Sequence, residues 1–522
     1  MTTKQLSSTT YIYKFLFQPG PDRLDGILLE DKRIVKREET IKNVMKVVQD
    51  NKITLIRAPP FTGKTSLGQL LEAQLETVRP NAYVRRVTWT SVCASFEDLW
   101  KLFTGQSFVD WIKISLHAEV YLIMNECQTI YAKDSEWGNR VWPTIKASES
   151  PHLHVVVLAS YGEKTVNTIT STPTDLTSSH HSLLDIKTLN FTKEEYGQLV
   201  ANLTIGYFPK VVEDWIYVNT GGHIGLLKRT LGLIEGKFGE KMILNSTGKY
   251  PPTDPHLDQL MMEYLLSQDY AIDISQSRAA PNLKLPETQR YVLDCVAYGS
   301  YPYDPSIQDE PLSHLLKHGF LTLDNNKQLV FPSPLYRRCY FTARFKSPSP
   351  QQFQPREDDM DGFLIDCIKR FRPHQLANQF SVHTRCGSST SQPLEVVWQM
   401  EFYHAATCAM QPIYVAPSVG RAFDSKGFLD FYIDSKYKWA IEMISEGRNI
   451  SGHVNWFKPT GIYGNLLQMI KKWVVLDFKS SKSHPMVKWD NLWEVMYSAD
   501  FKSYTIHRKD QSLLTITIEN GQ

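Results

Sequence analysis

Gly63, Lys64 and Thr65 sit where an apolar strand pattern, Ile53 to Ile56, gives way to a helical one through Leu67, Leu70 and Leu71. The run between them, Ala58-Pro-Pro-Phe-Thr-Gly-Lys-Thr65, is a phosphate-binding loop in strand–loop–helix context. Backbone N–H groups at a helix N-terminus cradle phosphate oxygens. A lysine at position 64 reaches the β- and γ-phosphates, and a hydroxyl at position 65 holds Mg²⁺. Ala58, Thr62, Gly63, Lys64, Thr65 and Ser66 are therefore the expected phosphate contacts, with ATP and Mg²⁺ as cofactors. Ala58 stands where such loops start with glycine, so the loop must fold around a Cβ.

Such a loop needs an acid at the end of a neighbouring strand to polarise water. Val120–Met124 reads as that strand, and Asn125-Glu126 follows it. Glu126 is the expected water-positioning residue. Asn125, a neutral ligand behind the metal's water shell, stands where an aspartate is usual. His154–Leu158 is a further strand, which would bring Ser160 toward the γ-phosphate. Thr220-Gly-Gly-His-Ile-Gly225 resembles the glycine–histidine turn that opens the helical lid of regulatory signal-transduction ATPases, which implies that His223 approaches the nucleotide. Ala58 and Asn125 both weaken the phosphate and metal machinery, so binding is better supported than turnover and the nucleotide can act as a switch.

A second set of acids lies far down the chain. Gly427–Ile433 and Trp439–Ile444 alternate as strands around a polar turn. If Lys436 is the centre of that hairpin, Asp430 and Glu442 are directly paired, about 5 Å apart on one face. Two carboxylates so close repel unless a divalent cation lies between them, the geometry of a Mg²⁺ site for phosphodiester hydrolysis. A helix from Leu394 to Tyr403 offers Glu401 as a third carboxylate. The expected catalytic set is Glu126, Asp430, Glu442 and Glu401, and the expected metal ligands are Thr65, Asp430 and Glu442. The combination resembles the restriction-endonuclease-like fold with its Asp…Glu-x-Lys signature. Ile444 stands at the lysine position, and Arg448, Lys438 and Lys479 are the candidate replacements.

The same stretch resembles the C-terminal region of Crinkler effectors of oomycetes and certain fungi. The resemblance is carried by Gly427–Ile433, Trp439–Glu442, Glu446-Gly447, His453, Phe457, Gly461–Tyr463 and Trp473–Phe478. It implies a regulatory ATPase joined to a nuclease-like domain, secreted and acting on DNA in the nucleus of a host cell. Two basic residues that the family commonly carries are replaced here by Ser445 and Trp456. Residues 1–35 show neither a signal peptide nor the family's translocation header.

The elements needed to position these groups follow from the pattern of the chain. A length of 522 residues exceeds one ordinary core. Strands at Tyr83–Val87, Val120–Met124 and His154–Leu158, alternating with helical stretches, predict a three-layer α/β fold with a parallel sheet. An amphipathic helix from Glu38 to Val48 precedes the loop strand. The expected order is a preface (1–35), a P-loop core (36–190), a helical lid with a winged-helix-like module (191–345), a linker (346–360) and a restriction-endonuclease-like α/β domain (361–522).

Apolar content of 42% and charged content of 21% are those of a folded globular chain. The net charge of +2 excludes a global pull on nucleic acid. DNA contact would rest on local runs: Lys369, Arg370, Arg372 and His374, or Lys471, Lys472, Lys479 and Lys482 with Trp456 and Trp473 for stacking. Seven scattered cysteines without metal spacing predict reduced thiols. No apolar run is long enough to span a bilayer. The same residues also fit two other outputs: a nucleotide-switched binder of nucleic acid or of a host protein with a dead nuclease domain, and ATP-dependent homo-oligomerisation.

Overall fold

The fold is described from a computed structural model, over residues 26–88, 95–127, 141–159, 181–203, 208–246, 255–277, 284–297, 301, 304, 309–324, 328–344, 355–377, 395–410, 414–420, 427–433, 436–480, 489–510 and 513–518. The chain divides into two compact units. One takes the chain up to Leu203 with Gly222–Gly225 and Ser313–Gly319; the other takes Thr204–Gly221, Leu226–Leu312 and Phe320–Gln522.

The first unit is built on five strands: β1 (Ile53–Arg57), β2 (Tyr83–Thr88), β3 (Val120–Asn125), β4 (Leu153–Ala159) and β5 (His181–Leu184). They are all parallel, in the order β2-β3-β4-β1-β5. Along β3 the side chains alternate between two cores. Val120, Leu122 and Met124 join Phe96, Trp100, Phe108 and Trp111 on one face. Tyr121 and Ile123 join Ile41, Val44, Val48, Leu67 and Leu71 on the other. Both faces of the sheet are thus covered, which is why β3 and β4 are buried along their whole length. The second of these faces is covered by α1 (Glu38–Asp50) and α2 (Lys64–Val78).

Two points depart from the sequence reading. The acid-bearing strand β3 does not neighbour β1, because β4 lies between them. Alternation marks a strand as buried but does not order strands in a sheet. The preface also has a structured end: Gln69 of α2 accepts from Ile27 N–H at 2.8 Å and donates to Ile27 C=O at 3.1 Å. Ser160 lies outside the described residues.

In the second unit, helices include Lys210–Thr220, Pro255–Leu265, Glu287–Ala297 and Pro334–Arg344. The short strands Thr322–Leu323 and Leu329–Val330 pair antiparallel. Further on come α3 (Met360–Lys369), α4 (Glu395–Met410), β8 (Val415–Gly420), β9 (Phe428–Ile433), β10 (Trp439–Ser445), α5 (Ile450–Trp456), β11 (Lys472–Ser480), β12 (Leu492–Tyr497), β13 (Ser503–His507) and β14 (Leu513–Thr517). Here β6 and β7 denote the short hairpin. The seven strands β8 to β14 form one sheet in sequence order. Its pairings are antiparallel except at β10–β11 and β11–β12. Asp359 caps α3 by accepting from Gly362 N–H. α4 has little amphipathic character: ten of its sixteen residues are buried, and Trp398 stacks on Phe478 of β11 with centroids 4.4 Å apart.

Candidate functional site

The phosphate-type loop leaves β1 at Arg57 and enters α2 at Lys64. Its left-handed residues are Phe61 (φ 62°) and Gly63 (φ 85°), not Ala58. The alanine therefore meets no backbone conflict, and its N–H donates to Ala159 C=O at 3.2 Å. Glycine suits position 63 because φ 85° is left-handed, and a Cβ there would also have to push aside the Ile224 Cδ1 methyl at 2.8 Å. Thr62 donates its hydroxyl to Pro59 C=O at 2.8 Å. The buried Lys64 ammonium turns back on the loop and donates to the carbonyls of Ala58 and Pro59, each at 2.7 Å. Ser66 is half-buried on the first turn of α2.

Across the β4 strand, Asn125 meets this loop. Its amide donates to Thr65 Oγ1 at 3.3 Å, and the Thr65 hydroxyl lies 3.4 Å from Asn125 Oδ1. Two neutral oxygens side by side are hard donors of the kind Mg²⁺ takes, so these residues fit a nucleotide-bound Mg²⁺. Glu126 follows with φ 58°, a conformation uncommon outside glycine and enriched at functional sites. The glycine–histidine turn belongs to the same unit. Gly225 N–H donates to Phe61 C=O at 3.1 Å. Burial, with the Lys64 charge adding to it, pushes His223 down to about 4, so its ring is neutral at physiological pH. Ala58, Thr62, Gly63, Lys64, Thr65, Asn125, Glu126 and His223 are thus assembled around one loop.

In the second unit β9 and β10 pair as Trp439↔Ile433, Ala440↔Tyr432 and Ile441↔Phe431. The hairpin is centred on Lys436, the pairing ends at Ile441↔Phe431, and Glu442 and Asp430 are the positions that follow on the two strands. Glu442 is buried and Asp430 half-buried. Burial, then the neighbouring Glu442 charge, drives Asp430 well above the ordinary aspartate range. Burial pushes Glu442 up to about 8.

All four oxygens of the pair have protein partners. Asp430 Oδ1 accepts from Gln399 Nε2 at 2.9 Å, and Oδ2 from Met443 N–H at 2.7 Å. Glu442 Oε1 lies 3.0 Å from His453 Nδ1, and Oε2 accepts from the Tyr463 hydroxyl at 3.1 Å. Among the described residues no three His, Cys, Asp or Glu side chains are grouped to hold a metal. Four oxygens each already engaged by a protein group do not fit the Mg²⁺ that the resemblance implies.

Glu401 is not part of this cluster. It is fully buried on α4 and receives three hydrogen bonds from Arg372: from N–H at 2.7 Å, Nε at 3.0 Å and Nη2 at 2.8 Å. The third acid near the pair is Glu395, one and two-thirds helical turns earlier, whose Oε1 accepts from Gln399 Nε2 at 3.1 Å. Spacing along a helix buried over most of its surface does not tell which acid faces the hairpin. Two of the three replacement cations are engaged elsewhere, Lys438 with Glu263 at 3.0 Å and buried Lys479 bridging Asp477 and Glu494, while Arg448 lies near enough to Glu395 to favour its charged form. His453, which touches Glu442, was not among the expected site residues, although it is one of the residues that carry the family resemblance.

The two basic runs are also largely committed. Arg370 pairs with Asp366 at 2.8 Å and Arg372 with Glu401. Lys471 pairs with Glu357 at 3.1 Å. Trp473 stacks on Phe457 at 4.3 Å with the rings 3° from parallel, and Trp456 packs on His453 at 3.8 Å. Lys482 lies outside the described residues. No helix among the described residues is long and apolar enough to cross a membrane.

Neither a protein-family profile nor a curated protein sequence matches the chain. Solved structures similar to it include a Walker-type ATPase of Pyrococcus abyssi (13% identity over 59% of this chain and 96% of that one, TM-score 0.35). Domain III of the replication initiation protein DnaA of Thermotoga maritima is 14% identical over 45% and 97%, with a TM-score of 0.30. The Aeropyrum pernix ORC2 protein is 12% identical over 62% and 95%, with a TM-score of 0.27.

Proposed function

We propose that this chain is a nucleotide-binding P-loop protein whose bound nucleotide acts as a switch on a C-terminal nuclease-like domain that binds its target without cutting it. The observation that carries the reading is the loop itself. Lys64, Thr65, Asn125 and Glu126 converge at the C-terminal ends of two parallel strands, where α/β folds hold phosphates. On binding ATP, the Lys64 ammonium would exchange the carbonyls of Ala58 and Pro59 for phosphate oxygens. Thr65 and Asn125 would hold Mg²⁺, which when bound neutralises phosphate charge. Glu126 would orient a water, and neutral His223 would offer a ring nitrogen without adding repulsion to Lys64. The turn at Gly221–Gly225 runs directly into the helix Ile224–Ser246, so a change at the turn has a covalent route onward.

The order α4-β8-β9-β10-α5-β11, with β10 and β11 parallel, supports a restriction-endonuclease-like reading of residues 361–522, beyond a linker at 346–360. With the Crinkler resemblance this makes the chain an effector-like protein, secreted and active in a host-cell nucleus, with DNA as target. The neighbouring positions of Asp430 and Glu442 on β9 and β10 favour a second reading, a metal-dependent nuclease. Calorimetric titration of the full chain with ATP and Mg²⁺ tests the switch: Lys64→Ala should weaken binding at least tenfold, the worth of one charged hydrogen bond or more. Equal binding by both proteins would end the nucleotide reading. Plasmid cleavage in Mg²⁺ or Mn²⁺, lost in Glu442→Ala, would replace the binder with the nuclease.

A further inference from the structure

Carboxylates buried side by side need either a cation or a full set of hydrogen-bond donors, because an uncompensated buried charge is costly. In the nuclease-like domain the second solution is built in. The Gln399 carboxamide lies between two acids, 2.9 Å from Asp430 Oδ1 and 3.1 Å from Glu395 Oε1, so one NH₂ group with two protons serves both. The Met443 N–H takes the other Asp430 oxygen, while His453 and Tyr463 take one Glu442 oxygen each. The Tyr463 hydroxyl shares its one proton between Glu442 Oε2 and Phe428 C=O, the latter at 2.7 Å, and Trp456 packs over the His453 ring, so both partners are fixed in place. Mg²⁺ asks for near-octahedral oxygens at about 2.0–2.1 Å and retains several waters. Seating it here would require breaking this set and wetting the pair.

We infer that in this chain the Gln399 amide stands in for the divalent cation, and that the acid pair is a metal-free hydrogen-bonded cluster. The inference rests on the nuclease-like reading of the domain, but its failure is separately visible. Loss of the domain reading would show in DNA binding, whereas loss of this inference would show in metal binding.

The experiment is manganese titration of the nucleotide-free full chain, with free Mn²⁺ followed by electron paramagnetic resonance. Wild-type protein should leave the free-ion signal undiminished. One equivalent bound without nucleotide, and lost in Asp430→Asn, would overturn the inference. A second arm replaces the stand-in by an acid. Gln399→Glu should lower the melting temperature by roughly 4 °C or more, and Mn²⁺ should restore it while leaving the wild type unmoved. A Gln399→Glu protein that melts like wild type, or whose loss Mn²⁺ does not repair, would equally overturn the assignment of the amide.

Discussion

Replacing Glu401 by glutamine separates a structural acid from a catalytic one. The Glu401 side chain is wholly buried and takes three hydrogen bonds from Arg372, whose side chain is one-quarter exposed. Glutamine keeps the shape and one acceptor oxygen but removes the charge and turns an NH₂ group toward a guanidinium. Breaking a buried ion pair costs about 3–5 kcal/mol. The partial exposure of Arg372 lets its charge recover some hydration, which puts the expected loss near the lower end, about 3 kcal/mol. At roughly 2 °C per kcal/mol for a unit of this size, the melting temperature should fall by about 6 °C. Thermal unfolding followed by circular dichroism measures this. Combining Glu401→Leu with Arg372→Met should recover much of the loss, because no unpaired charge is left behind. A Glu401→Gln protein with unchanged melting that has lost a metal-dependent activity would refute the reasoning and return Glu401 to the catalytic set.

Three further outcomes follow from the geometry. Asp430 and Glu442 have folded-state pKa values above their unfolded ones, so each favours folding at low pH and less so as pH rises. Stability should decline between about pH 4.5 and about pH 8, and urea midpoints across that window should show a shallower decline in Asp430→Asn. Asn125→Asp places a carboxylate beside the Thr65 hydroxyl and should make nucleotide affinity at least tenfold more dependent on Mg²⁺, read by calorimetry with and without the metal. Gly222→Ala puts a Cβ at φ 77° and 2.5 Å from Phe191 C=O, which should cost about 2 kcal/mol or more and appear as faster proteolysis of the first unit.

The first unit was readable because its strands are buried on both faces and its loop carries an unambiguous residue pattern. Tyr83–Val87, Val120–Met124 and His154–Leu158 each fall within observed strands. Their order was not readable, since the position of β4 between β1 and β3 is a matter of tertiary pairing that no local period encodes. The strand His181–Leu184 was missed for its brevity. In the second unit the hairpin register followed from the polar turn between two alternating runs, with Lys436 at its centre. The partners of the acids did not follow. Gln399, His453 and Tyr463 come from three separate stretches, and on α4, buried almost all round, Glu395 and Glu401 are equivalent until the packing is known.

The bonds that Lys64 makes with the carbonyls of Ala58 and Pro59 have a consequence for ligand choice. A lysine so occupied leaves little net attraction for weak anions, because any newcomer competes with two short intramolecular bonds already made in a buried setting. A lone phosphate or a nucleoside monophosphate offers one cluster of charge and displaces them poorly. A triphosphate presents several charged oxygens along its length and can engage the loop's amides and the ammonium together. Under the proposed nucleotide reading, these two bonds would set a threshold that polyphosphate chains pass more readily than single phosphates.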